Sequence, residues 1–198
     1  MYARTSGDRI LSFGVSGLLY KANVLMYDHQ TESLWSQVKR SAVAGPMTGT
    51  VLKTLPSTLT TWEKWRRRYP DTHVLSFETG YGRDYSHDPY GSFRRNRGSW
   101  RNFLSSFIGH RLSEKDVDLV IGVDMEGVHR AYRLEDLRER GKLTDMTSAG
   151  SITLSYDVAT DSVSVTSPGG AEIPYVLIYW FVWKETHPEA DLHRPQDP

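Results

Sequence analysis

The 198-residue chain contains no cysteine. That excludes disulfides, thiolate zinc sites, iron–sulfur clusters and a Cys nucleophile. It leaves the compartment open, because a chain without thiols tolerates either redox environment. Net charge is also missing: 24 Lys and Arg balance 24 Asp and Glu, so no global field draws the protein to nucleic acid or anionic membrane. Long hydrophobic runs are absent. The longest, Tyr175 to Trp183, is far short of the roughly 20 residues that a membrane-spanning helix needs. The opening MYARTSGDRILSF has no apolar stretch of signal-peptide length, and the chain reads as soluble. What it has in quantity is aromatic: 12% Phe, Trp and Tyr within a 38% apolar share, the composition of a globular domain.

Hydrophobic patterning predicts strands over Ile10–Val15 and Asn23–Tyr27, joined by a turn at Gly17, with a third over Leu34–Val38 and a short one at Val51 and Leu52. Thr61–Arg68 reads as a helix. Thr60 and Glu63 form a capping box, Trp62, Trp65 and Tyr69 form one apolar stripe suited to packing on a sheet, and Pro70 ends the helix. A strand over Thr72–Phe77 follows, then a long ordered loop from Glu78 to Arg101 and a helical turn near Trp100–Phe107. Val117–Val123 and Val128–Tyr132 predict a hairpin, Leu134–Arg140 a short helix stopped by Gly141, and Ile152–Tyr156 with Ser162–Thr166 a second hairpin. Tyr175–Trp183 reads as a buried strand, and residues 188–198 as a loose tail. The expectation is a single domain over 1–198, α+β and β-rich, with antiparallel or mixed sheets of about seven or more strands and two or three short helices.

The densest chemistry lies in MYDHQTESLW, where Asp28, His29 and Glu32 sit between Tyr27 and Trp35. Neighbouring strand residues point to opposite faces, so Asp28 and His29 converge only if the chain turns there. A metal site needs three or more convergent ligands, and Asp28 and Glu32 would need a distant third such as His187. The plainer reading is that Asp28 and Thr31 cap a turn while Glu32 bonds backbone amides. His187, in KETHP after an aromatic run, is either a buried hydrogen-bond donor or a general base or metal ligand. In FRRNRGSWRNF, Arg94, Arg95, Arg97 and Arg101 interleave with Phe93, Trp100 and Phe103. That pattern suits an anionic ligand or a solvated loop. The neutral balance and nearby acids, Asp84 and Asp88, weigh against nucleic acid. GVSGL lacks the second glycine of a nucleophile elbow, and GPMTGT lacks the lysine of a phosphate loop.

The runs FGVSGLLYKANVLMYDHQTESLWSQ and GPMTGTVLKTLPSTLTTWEKWRRRYPDTHVL, with VIGVDMEGVHRAYRLEDL and YWFVWKETHP, resemble the prokaryotic family of unknown function 3179. His29 stands where the family pattern has Arg. The resemblance implies a preceding unit with its own hairpin and a Cys-Pro-x-Cys motif, selenocysteine-bearing in some members. It also implies an internal duplication in which Val120–Leu137 echoes that unit. On that comparison the chain holds the central and later parts, either as a short form or a truncated one. An open sheet edge is then expected near residues 5 to 15.

The functional expectation is a non-catalytic or accessory ligand-binding domain, with a polar-aromatic pocket of Tyr27, Asp28, His29, Glu32, Trp35 and His187. One alternative is a redox- or metal-linked enzyme that needs a Cys-bearing half or partner. Another is a self-assembling protein that pairs, as a homo-oligomer, through the open edge. Longer relatives resemble exported proteins. No cofactor or substrate follows from the residues.

Overall fold

The hairpin that organises the molecule forms where the apolar alternation is cleanest. β7 (Leu119–Met125) and β8 (Val128–Arg133) pair in register from Val120↔Arg133 to Met125↔Val128. Successive strand side chains face opposite ways, and this hairpin is buried on both faces. Ile121, Val123 and Tyr132 enter one core, and Val120 and Ala131 enter another. The computed structural model describes residues 1–74, 76–78, 80–82, 84–86, 88, 96–125 and 127–193. Among them are thirteen strands and four α-helices, the β-rich α+β architecture the patterning predicts.

Ahead of that hairpin, β1 (Thr5–Ser6) and β2 (Arg9–Ile10) form a small ribbon. β3 (Phe13–Tyr20), β4 (Asn23–Asp28), β5 (Leu34–Ser36) and β6 (Ser41–Ala44) form an antiparallel sheet in that order. Its core is Leu11, Trp35, Ala42 and Leu52. Next come α1 (Trp62–Arg68), α2 (Arg97–Ile108) and a 3-10 turn over Lys115–Val117. After β8 follow α3 (Leu134–Arg140), then β9 (Lys142–Thr147), β10 (Gly150–Asp157) and β11 (Ser162–Thr166), a three-stranded antiparallel sheet with β10 in the middle. β12 (Tyr175–Tyr179), α4 (Trp180–Thr186) and β13 (Asp191–Leu192) complete the chain. The middle sheet runs β12-β7-β8-β13, with β13 parallel to β8. One of its faces packs on α3 and the β9–β11 sheet. The other packs on α4 and on Leu104 and Ile108 of α2, joined by Ala22 and Val38 from the first sheet. No described helix is long and apolar enough to cross a membrane.

Several elements depart from the sequence patterning. The β3–β4 turn falls at Lys21 and Ala22, both left-handed at φ 48° and 59°, and not at Gly17. Such a turn favours Asn-Gly. Here Ala22 packs into the α4 core and Lys21 Nζ donates to the Glu185 carbonyl (2.8 Å), contacts that offset the backbone cost. Gly17, at φ 75°, instead lies in a register shift between Val15 and Leu19. β5 stops at Ser36, and Val51 makes only an isolated bridge to Ser41. The cap of α1 is Thr61, whose hydroxyl accepts from Lys64 N; Thr60 donates to the Thr160 carbonyl, and Glu63 pairs with Arg67 (2.6 Å). The Trp62–Trp65–Tyr69 stripe does not pack on a sheet. No residue of α1 is buried, and the helix rests on the β10–β11 turn through Lys64 and Arg68.

The described residues between Thr72 and Phe77 are not strand, and the helical turn near Trp100 is the twelve-residue α2, begun by the Asn96 cap. The run Tyr175–Trp183 splits: β12 ends at Tyr179, and α4 turns the chain across the sheet. A short apolar run carries no period that separates the two. The tail is not loose at its start, since Asp191–Leu192 pairs with β8 and Ala190 is buried.

Trp183 of α4 lies directly on Gly122, where a Cβ would stand 2.5 Å from the ring. Gly122→Ala should therefore destabilise by about 1–3 kcal/mol through overpacking and lower Tm by about 2–12 °C in a thermal melt.

Candidate functional site

The β4–β5 connection folds around one carboxylate. Asp28 is fully buried. Its Oδ1 accepts the Thr31 amide (2.5 Å), and its Oδ2 accepts the Thr31 hydroxyl (2.8 Å) and the Trp35 indole N–H (2.8 Å). The Thr31 hydroxyl also meets Ser33 Oγ (2.7 Å), which accepts the Met47 amide (3.0 Å). Burial alone would raise the Asp28 pKa. The Trp35 and Thr31 side chains and the Thr31 and Ser33 amides outweigh it and hold the carboxyl below the usual range. Trp35 is equally buried and meets Phe13 edge-on at 5.7 Å. Tyr27 lies over Gly14 with its ring 4.8 Å from His29. His29 is exposed, and Glu32 is exposed at φ 56°. The sequence cluster is thus divided: Asp28 and Trp35 are a buried fastening, while Tyr27, His29 and Glu32 lie outside it.

His187 belongs to a different group. It ends α4, is 9% exposed, and stacks on His129 (ring centroids 4.0 Å) and Trp183 (4.3 Å). His129 Nδ1 lies 3.6 Å from Asp124 Oδ2, and Asp124 is ion-paired with Arg40 of the first sheet. His187 Nε2, His129 Nδ1 and Trp183 Nε1 are buried without hydrogen-bond partners. Burial first, then the neighbouring His129, Arg40 and Lys21, lower the His187 pKa to about 4 against the opposing pull of Asp124. The three weak metal candidates, Asp28, Glu32 and His187, do not converge. Among the described residues no group of three His, Cys, Asp or Glu is placed to hold a metal ion. Arg94, Arg95 and the side chain of Arg97 lie outside the described residues. Arg101 is on α2, 3.5 Å from Glu114, beside a hollow of about 330 Å³ that Arg133, Lys115 and Asp118 also line.

The strongest constellation is one the sequence reading passed over. Asp145 of β9, 7% exposed, points between the two sheets. It accepts Tyr132 Oη (2.7 Å) and a fork from Arg130 (Nε 3.0 Å, Nη2 3.4 Å), with His193 Nδ1 at 3.7 Å. Arg130 Nη1 also reaches Asp191 (3.4 Å). Burial would raise the Asp145 pKa, but Tyr132 and Arg130 hold it below the usual range. Burial, and then the adjacent carboxylate, push the Tyr132 hydroxyl up. Asp145, Arg130, His193 and Asp191 border a groove of about 870 Å³ between β9 on one side and β8 with β13 on the other; Arg140, Lys142, Leu143, Thr144, Met146 and Leu192 complete its lining. The signal available in sequence was HRAYR, which sets Arg130 and Tyr132 on one strand face, and KLTDMT, which puts an acid in phase with a core leucine. An acid at a core position needs partners, and that is a reason to look for a cation at the same depth.

Two consequences are measurable. Asp28→Asn replaces an acceptor of three donors by a group with one acceptor atom, and should cost about 2–4 kcal/mol in urea unfolding. Because the Asp28 pKa is lowered on folding, its contribution is present above the ordinary carboxylate pKa and is lost as pH falls below it. His187 acts in a higher window. With a folded pKa of about 4, it stays neutral while the unfolded chain already takes up a proton, so stability falls as pH drops from about 6.5 toward 4. The slope is at most about 1.4 kcal/mol per pH unit, and His187→Phe should flatten it between pH 6.5 and 4.5.

No curated protein and no solved structure matches the chain. One family does, over residues 1–169, a span that contains the Asp28 fastening, the β7–β8 hairpin and Asp145. On that match the chain belongs to the family described as Protein of unknown function (DUF3179).

Proposed function

We propose that this chain is a non-catalytic, accessory ligand-binding domain, and that its ligand sits in the groove between β9 and β13. The observation that carries the reading is the groove's lining: Arg130, Arg140, Lys142, Asp145, Asp191 and His193 gather at about 870 Å³ of open space. Both carboxylates engage Arg130. The site is therefore pre-organised, with a rigid acid-base floor and a cationic rim suited to a carboxylate- or phosphate-bearing ligand.

The enzyme alternative has one observation in its favour, the stacked pair of half-buried His129 and buried His187, with one buried, unpartnered imidazole nitrogen on each beside Asp124. Partner pairing through the first sheet has another. β3 is one of the two outer strands there and, with β2, exposes Ile10, Val15, Leu18 and Leu19. The shift at Gly17 bends that edge, a feature that disfavours strand addition.

Titration with citrate and with inorganic phosphate, followed by amide chemical shifts, tests the groove. The expected result is saturable shifts at Lys142, Thr144, Met146 and His193, with affinity about 10-fold weaker in Lys142→Glu. Shifts scattered over the surface, or unchanged in that variant, would remove the reading.

A further inference from the structure

The groove has a second property that its charges do not explain. One wall is the outer edge of β9, an outer strand of its sheet, with which no described strand other than β10 pairs. Which backbone groups that edge presents follows from the ladder. Tyr156 N donates to the Gly141 carbonyl (2.8 Å), and the register continues without a shift from Ser155↔Lys142 to Gly150↔Thr147, closed by the two-residue turn Ser148–Ala149. In an antiparallel pair, bonded and non-bonded residue pairs alternate. Gly141, Leu143, Asp145 and Thr147 therefore spend their N–H and C=O groups on β10, while Lys142, Thr144 and Met146 direct theirs outward. Those three residues all line the groove. Side-chain alternation agrees: Leu143 and Asp145 are buried, and Lys142, Thr144 and Met146 are exposed, Met146 at 77%. The outer strand β3 is interrupted by its register shift, whereas β9 is unbroken over six residues, and Lys142 is its one cationic guard. The opposite wall, β13, is itself a two-residue outer strand.

We propose that the groove takes an extended peptide segment carrying a carboxylate, added as a strand to the outer edge of β9. Backbone groups of Lys142, Thr144 and Met146 pair with the peptide main chain, which gives affinity without demanding a sequence. Alternate peptide side chains face the rim, where the exposed Lys142, outside the ion pairs that join Arg130 to Asp145 and Asp191, selects an acid. This rests on the ligand-binding reading of the same groove and names its occupant.

The test uses the full chain. Amide exchange of the free protein should be fast at Lys142, Thr144 and Met146 and slow at Leu143 and Asp145; the reverse order would overturn the proposal at once. Panning a random twelve-residue phage-displayed library should then enrich acid-bearing peptides. A synthetic copy, measured by fluorescence anisotropy, should protect the Thr144 and Met146 amides from exchange. Thr144→Pro removes one outward N–H and no ladder bond, a substitution edge strands tolerate. It should weaken binding by about 10-fold or more. Should the proline variant not fold, the exchange protection and the loss of binding in Lys142→Glu decide the matter. Peptides that bind equally to Thr144→Pro and leave those amides unprotected would sink strand addition while sparing the groove. Failure to enrich any peptide, with the citrate and phosphate shifts intact, would do the same. A dimer in light scattering that Thr144→Pro dissolves would give the edge to a second copy and end the peptide proposal.

Discussion

A carboxylate taken out of water must find donors, and two such carboxylates determine how this molecule is assembled. Asp28 and Asp145 are both buried, and each is held by an aromatic residue that is itself fully buried: the indole of Trp35 and the phenol of Tyr132. Burial favours the neutral acid, yet in both cases the donors prevail and the ionised form is retained. The two differ in what they tie together. Asp28 closes a local turn, with partners three and seven residues away. Asp145 joins β9 to β8 and, through Arg130, to Asp191 near the end of the described chain. With the Tyr175 hydroxyl on the Val163 carbonyl, that second tie gives the sandwich between the middle sheet and the β9–β11 sheet its polar register, and it forms the floor of the groove.

The middle hairpin converts these ties into one body. Its alternation sends Ile121, Val123 and Tyr132 toward one partner layer and Val120 and Ala131 toward the other, and Gly122 leaves room for the Trp183 ring. The first sheet attaches to this body through Ala22 and Val38, the Lys21 contact with Glu185 and the Arg40–Asp124 pair. The stacked imidazoles of His129 and His187 lie at that junction, beside the charges that join the two parts. The junction and the groove thus occupy opposite faces of one strand pair: Asp124 and His129 face the first sheet, and Arg130, the next residue along β8, lines the groove.

Legibility in the sequence followed the range of the forces involved. The β7–β8 hairpin and α3 were readable because alternation, the Leu134–Leu137 spacing and the Gly141 stop are all local. Asp28 as a turn cap was readable for the same reason, since its partners lie within one loop. The Trp62–Tyr69 stripe was misleading because periodicity marks a possible buried face and does not supply a surface to bury it against. Gly17 was misleading because a positive φ serves a bulge as well as a turn, and packing against α4 let Lys21 and Ala22 make the turn instead.

By itself the sequence determined the composition of the cores, the hairpins, the fastening at Asp28 and the family to which the chain belongs. Only the tertiary structure decided that Tyr175–Trp183 is half strand and half helix, that His187 stacks on His129, and that Arg130, Asp145, Asp191 and His193 border one groove. The physical reason is separation along the chain. A hydrogen bond between residues 15 or 61 positions apart leaves no trace in local periodicity, because its energy is realised only after two sheets have packed and water has left the space between them.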